Sequence, residues 1–349
     1  MISMLKKLVH GFCLMVLSVL LSLSLFAQND EENVKYTHLY DPVMCTIKNY
    51  FTVQNTSNRE LTDIKIKILV GIDDSLYQNA IDLSITPAPS SWEEDKLGNY
   101  YAVIEVASLA AGKKVDVVIS RIVTNYAVVF DKSIYDINVS YADFLKNPAN
   151  RKYIQPSASI QSADPLFAET IKNLDRELPE AQQAYVLFSH VNTNMTYDTD
   201  KRYANTTALS GLKTGRGVCT EFSGVFVGLC RAAGIPARIV SGYWPRREFK
   251  KGVETAMAED DRHAWAEFYL PTVGWIPVEP SATLERNGKR VANENSFAAI
   301  VSSERYFVYS YGLNEDRESN IAVEYSYDAP EYKGSMTSIG MTKETITVH

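Results

Sequence analysis

Cysteine is scarce in this chain, with four in 349 residues, and histidine is nearly as rare, with five. Cys13 lies in an apolar leader, which leaves Cys45, Cys219 and Cys230 for the remainder. An odd number argues against a disulfide framework and leaves at least one free thiol. Structural metal sites need Cys and His clustered at short spacings. Here Cys219 and Cys230 stand far apart and no paired histidines accompany them, so no metal is expected. Phosphate-cradling and dinucleotide glycine motifs are missing too, because Gly215-Arg216-Gly217 lacks the Lys-Ser/Thr of a P-loop. No cofactor is therefore expected. Beyond residue 27 no run is long and apolar enough to span a bilayer.

Positive charge is also in short supply. Residues 1–27 read as a secretory signal peptide: Lys6 and Lys7 form its positive start, Phe12 to Phe26 is almost wholly apolar, and Ala27 precedes the polar run Gln28-Asn29-Asp30. The competing reading is an uncleaved anchor. Cleavage after Ala27 removes two lysines and no acids, which moves the net charge from −7 to −9. That balance argues against nucleic acid or an anionic membrane as a partner. The chain is expected to be secreted, periplasmic or held at the cell surface.

The length exceeds one ordinary core and predicts two domains. Residues 28–150 read as a β-sandwich. In Leu61 to Val70, Ile64, Ile66, Ile68 and Val70 alternate with Asp63, Lys65 and Lys67, the pattern of a half-buried strand. Further strands are expected at Cys45 to Gln54, Tyr100 to Val106, Val115 to Val123 and Tyr135 to Tyr141. Residues 145–165 read as a linker, and residues 151–285 as an α+β core opening on helices at Leu166 to Leu178 and Pro179 to Val191. The strongest helix is Cys219 to Ala233, with Phe222, Val225, Phe226, Leu229 and Cys230 at helical spacing, Gly234 as cap and Pro236 as stop. Strands follow at Ala237 to Gly242, His263 to Leu270 and Trp275 to Val278. Residues 286–349 are read as an extension completing that core, with a strand at Ile321 to Tyr327 and a last fifteen residues that fray.

Three residues carry the chemistry. Cys219 follows Gly215-Arg216-Gly217-Val218, read as a flexible turn, and opens a helix whose unpaired N–H groups and dipole favour a thiolate and can hold an oxyanion. His263 is the one histidine that begins a strand after a polar loop, where it can serve as general base. Glu279, one strand further on, can hydrogen-bond the far ring nitrogen and fix its tautomer. The other reading leaves Glu279 as an exposed turn acid, with His263 oriented by a backbone carbonyl or by Asp261. Trp265 and Trp275 are expected to pack around His263, Tyr243 and Trp244 to line a groove, and Arg238 to pair with an acid.

The blocks around Cys219, from Gly234 to Gly242 and from His263 to Pro280 resemble the transglutaminase-like superfamily over about Asp164 to Ser281. The Arg231-Ala232-Ala233-Gly234-Ile235-Pro236 run is similar as well, whereas the family's usual acid is Asp where Glu279 stands. The β segment is similar to the immunoglobulin-like modules that precede such cores. The resemblance implies a papain-like α+β core, with the cysteine helix on an antiparallel sheet, and thioester chemistry on an amide of a protein or peptide substrate, cell-surface or cell-wall peptide included. Hydrolysis is expected ahead of cross-linking, because water is always at hand. Tyr197 and Tyr203 are candidates for a second oxyanion donor. Two further readings stay open: a binding or scaffold protein on an inactivated core, and a β domain that docks the chain on a surface polymer.

Overall fold

In the computed structural model, residues 35–72, 74–313, 316–326 and 337–349 are described, so the signal expected at 1–27 lies outside them. In chain order the main elements are strands β1 (Thr37–Asn55), β2 (Leu61–Leu69), β3 (Gln78–Thr86), β4 (Ser91–Glu94), β5 (Tyr100–Leu109) and β6 (Lys114–Phe130). Helices α1 (Glu180–Asn194), α2 (Ala208–Thr214) and α3 (Cys219–Ala232) come next. Strands β7 (Ala237–Tyr243), β8 (Arg262–Leu270), β9 (Gly274–Val278), β10 (Phe307–Tyr311), β11 (Ile321–Ser326) and β12 (Thr337–Val348) complete the chain. The fold is α+β, mostly sheet with few helices.

Two antiparallel sheets form a sandwich, ordered β12-β1-β6-β3 and β11-β2-β5-β4. Phe51, Val53, Val117 and Ile119 from the first sheet meet Ile64, Ile66, Ala102 and Ile104 from the second. The expected alternation in β2 is present, since Ile64, Ile66, Ile68 and Val70 are all buried. A third sheet, β9-β8-β7-β10, carries α3 and α1 through one apolar core that includes Phe188, Phe222, Phe226 and Phe268. Between the two units Cys45, Tyr101 and Ile346 pack on Tyr243, Phe307 and Tyr309.

The C-terminal stretch differs from expectation. Among the described residues of this stretch β10 joins the core sheet, whereas β11 and β12 pair with β2 and β1 and so extend the two sheets of the sandwich. The tail that was expected to fray is strand from Thr337 to Val348, and its Ile346 and Val348 are buried in the joint. Strand-forming Thr, Ile and Val outweigh the polarity of the segment. Tyr135 to Tyr141 forms no strand. Asp131 instead accepts the Ser133 N–H at 2.8 Å and caps a short 3-10 turn, Lys132–Asp136. The helix expected at Leu166 to Leu178 is a short one, Pro165–Thr170, capped by Asp164.

Candidate active site

Cys219 is the first residue of α3, and the sequence around it explains why the helix starts there. Glu221, buried in the third helical position, takes the Val218 N–H at 2.9 Å and so satisfies one of the donors that a helix start leaves open. Its other oxygen accepts the Thr206 hydroxyl at 3.2 Å. Gly217 lies so close that a Cβ would sit 2.3 Å from the Glu221 Cβ. Gly215 has φ 62° and ends α2. The two glycines thus cap one helix and admit the next, in place of the flexible turn expected from sequence. At the far end Gly234, at φ 79°, donates to the Arg231 carbonyl while Ile235 donates to that of Cys230, a Schellman close.

His263 stands on β8, opposite Gly242 of β7. The Ser223 hydroxyl of α3 donates to the Ala264 carbonyl at 3.1 Å, which ties the cysteine helix to the histidine strand. Glu279 follows the end of β9, and its N–H donates to the Ser296 carbonyl at 2.8 Å. The buried Asn192 of α1 donates to the carbonyls of Pro280 at 2.9 Å and Ala282 at 3.2 Å, fixing the turn that carries Glu279.

These placements bring Cys219, His263 and Glu279 together. The His263 Nε2 and a Glu279 oxygen are in direct hydrogen-bond contact. The other Glu279 oxygen accepts the Ser281 N–H at 3.0 Å and the Ser281 hydroxyl at 2.6 Å. His263 and Cys219 line the same cleft. Because Glu279 takes Nε2, Nδ1 is the ring atom left to exchange a proton with the sulfur. Burial disfavours the imidazolium, but the Glu279 carboxylate and the Cys219 sulfur outweigh it and lift the His263 pKa to about 10. Burial likewise works against a charged Glu279, and His263 and Ser281 overcome it, leaving the carboxyl below its ordinary value.

These shifts give stability a pH signature. A raised histidine pKa contributes stability in full below the ordinary 6.5, and that contribution fades as pH rises and is gone above about 10. The depressed Glu279 contributes above its ordinary 4.5 and loses that contribution as pH falls. The melting temperature of His263→Ala is therefore expected to lie furthest below that of the unsubstituted protein near pH 6 and to converge on it toward pH 10. A gap independent of pH would show that the ring carries no raised pKa.

The site opens into a cleft of about 720 Å³ that Tyr197, Cys219, Trp244, His263, Glu279 and Tyr306 help to line. Tyr197 is half exposed and lines the cleft together with Cys219. Burial, then the Cys219 sulfur, pushes that phenol upward. Tyr203, the other oxyanion candidate, instead faces Arg202 and Arg216 at 5.3 and 5.2 Å. Trp244 lies beside His263, with ring centroids 6.0 Å apart, as does Trp265 at 6.3 Å. Trp275 does not: it belongs to a cluster with Tyr153 and Tyr269, under the Arg238 guanidinium. Tyr243 is buried and bonded to Glu344. Asp261 pins its own loop through Arg247 and the Ala258 N–H, so it is not what meets His263. Arg238 pairs with Glu267 at 2.7 Å.

Cys45 and Cys230 are buried and free, which pushes the Cys45 thiol up to about 12 and that of Cys230 higher still. Among the described residues no cluster of His, Cys, Asp or Glu could hold a metal ion, and no helix is long and apolar enough to cross a membrane. Sequence reasoning passed over Glu221, Asn192, Ser281 and Tyr306. Glu221 was legible as an acid three places into the helix and Ser281 as a hydroxyl beside the acid; the other two lie far away in the chain.

Residues 168–280 match the family model of the transglutaminase-like superfamily. A protein-glutamine gamma-glutamyltransferase from Pseudomonas aeruginosa is 38% identical over 68 residues, 20% of this chain and 10% of that protein. An uncharacterized protein of Haemophilus influenzae is 39% identical over 82 residues, 20% of this chain and 22% of its own. The match thus spans about a tenth to a fifth of these curated relatives. A solved protein from Cytophaga hutchinsonii, described as a cysteine protease, superposes with TM-score 0.50 at 18% identity, covering 90% of this chain and 100% of that one. At that identity the likeness is one of fold.

Proposed function

We propose that this chain, whose residues 168–280 match the model of the transglutaminase-like superfamily, is an exported cysteine enzyme that breaks a peptide or isopeptide amide through a thioester. One observation carries the reading: Cys219, His263 and Glu279 line the same cleft, with His263 hydrogen-bonded to Glu279 and Cys219 at the start of the neighbouring helix. Sγ of Cys219 attacks the amide carbonyl while its proton passes to Nδ1 of His263. The carbonyl oxygen, now anionic, lies against the Cys219 N–H and the Tyr197 hydroxyl. His263 returns the proton to the departing amine and the C–N bond breaks, leaving a thioester. Water then attacks, its proton goes to His263, and the carboxylic acid and free thiol are released. Throughout, Glu279 holds the ring's tautomer and balances the imidazolium.

Hydrolysis is favoured over amine transfer because Cys219 is only partly buried and Tyr197 is half exposed, so water reaches the thioester. The transferase reading has its own support in the Pseudomonas aeruginosa relative named above. The proposed substrate is a protein or peptide at the cell surface or in the wall. Incubation with glutamine-containing and isopeptide-linked peptides, with and without a primary amine, tests this by mass spectrometry. Hydrolysed product in the presence of amine supports the first reading, and amine adducts would replace it with the second. Tyr197→Phe is expected to lower kcat by roughly 100-fold with KM little changed, the cost of one oxyanion donor. An unaltered kcat would remove Tyr197 from that role.

A further inference from the structure

The sandwich reaches into the core beside His263. His263 and Trp265 are two places apart on β8 and so share a face of the core sheet, while Ala264 and Ala266 turn to the other face and join the core that carries α3. On the His263 face, Trp265 packs with Ile72, Tyr77 and Val128 of the sandwich. Tyr77, buried just before β3, accepts the Trp265 indole N–H at 2.7 Å and donates its own O–H to Glu267 at 3.0 Å. An indole N–H can only donate, so the direction of both bonds is fixed. The Trp265 ring held in this way stacks beside the His263 ring, with centroids 6.3 Å apart and planes at 24°.

Buried amides of the sandwich grip a second wall. Gln78 accepts the Val308 N–H at 2.9 Å and donates to the Val308 carbonyl at 3.0 Å. Asn99 does the same at Tyr311, at 2.7 and 3.0 Å. Each side chain thus offers β10 the donor and acceptor of a neighbouring strand. Asn125, on β6, donates to the carbonyls of Ser303 at 2.6 Å and Arg305 at 2.9 Å. Gln78, Asn99 and Asn125 are all 0% exposed. Between these grips stands Tyr306, whose backbone is left-handed with φ 58°, a conformation that a bulky residue adopts only where its surroundings enforce it. Its ring packs against His263, with centroids 6.0 Å apart, and edge-on against Trp265 at 5.3 Å. Two of the aromatic rings beside His263 are therefore set by residues of the sandwich.

We propose that the sandwich is the seat of His263: Tyr77, acting through Trp265, and Asn125, acting through the turn at Tyr306, are positioning residues for the imidazole. The sandwich is then part of the catalytic apparatus and not a module that merely docks the chain on a surface. The inference rests on the catalytic reading of His263, but the placement of the ring can be read without turnover.

The test follows the His263 ring protons by NMR in the full chain, assigned by their loss in His263→Ala, together with the rate of Cys219 alkylation. Tyr77→Phe removes only a hydroxyl and Asn125→Ala only an amide, and the two act by separate routes. Each is expected to shift the His263 ring protons, because shielding by the neighbouring rings changes with their placement. Each is also expected to slow Cys219 alkylation by roughly tenfold, since reactivity depends steeply on geometry. Ile66→Val, in the inner core of the sandwich, is the control: it is expected to lower the melting temperature and to move neither readout. Tyr77→Phe is expected to add nothing in a Trp265→Phe background, since its effect passes through that indole. Ring protons and alkylation unmoved in the folded Tyr77→Phe and Asn125→Ala variants, or equally moved in Ile66→Val, overturn the proposal. A full further effect of Tyr77→Phe on top of Trp265→Phe overturns the route through Trp265. Ring protons that move as expected in a protein without amide turnover would overturn the catalytic reading and leave the seating of His263 standing.

Discussion

Cys219→Ala is expected to abolish amide turnover, a fall in kcat of about 10⁴ or more, while the protein still folds. The size follows from the roles. Without the sulfur there is no thioester, and His263 and Glu279 are left orienting nothing. Folding should survive because Cys219 is only partly buried and the start of α3 is held by Glu221. Cys45→Ala serves as the control: that thiol lies in the joint between the units, away from the cleft, so turnover per folded molecule should persist. Activity retained in Cys219→Ala, with melting unchanged, would mean that another group does the chemistry.

Arg238→Ala is expected to destabilise the chain by about 3–5 kcal/mol, the largest effect on stability of any single change considered. Arg238 and Glu267 face each other across β7 and β8 with 11% and 1% of their side chains exposed. The guanidinium lies between the rings of Trp275 and Tyr311, at 4.0 and 3.7 Å. Glu267 also accepts the Tyr77 hydroxyl at 3.0 Å, and Tyr77 in turn accepts the Trp265 indole N–H at 2.7 Å. Removing the arginine leaves a buried carboxylate with one neutral donor, and the fault runs through Tyr77 to the tryptophan beside His263. Thermal melting should fall by on the order of 10 °C. The double variant Arg238→Met with Glu267→Gln should recover part of the loss, because no charge is then left buried. A single variant that melts within a degree or two of the unsubstituted protein would show the pair to be energetically idle.

Local signals made much of this molecule legible. The alternation in β2, the apolar stripe of α3 and its Gly234-Ile235-Pro236 ending are written within a few residues, and the fold uses them as they read. Cys219, His263 and Glu279 were identifiable because each opens or closes an element, where a side chain can leave the core and reach a cleft. Long-range pairing was not legible. Nothing in Thr337 to Val348 says that it will lie beside β1, nearly three hundred residues earlier, because strand partners are chosen by packing across the whole chain. Trp275 misled for a related reason. Alternation put it on the face of β9 opposite Ile276, and its cluster with Tyr153 is set by a linker whose course the sequence does not reveal. Tyr306 gave no signal at all, since its place beside the site lies in a backbone conformation and in ring contacts with His263 and Trp265 from a distant segment.

The central claim is that Cys219 and His263 work as a nucleophile pair. Its most direct test is the rate of alkylation of Cys219 at neutral pH, followed by peptide mass spectrometry beside His263→Ala. The expected result is labelling at least tenfold faster than that of a free cysteine derivative, lost when His263 is replaced, while Cys45 and Cys230 stay unlabelled in the folded protein. Labelling of Cys219 no faster than the free thiol, or indifferent to His263, would contradict the account and favour a binding role for the same fold.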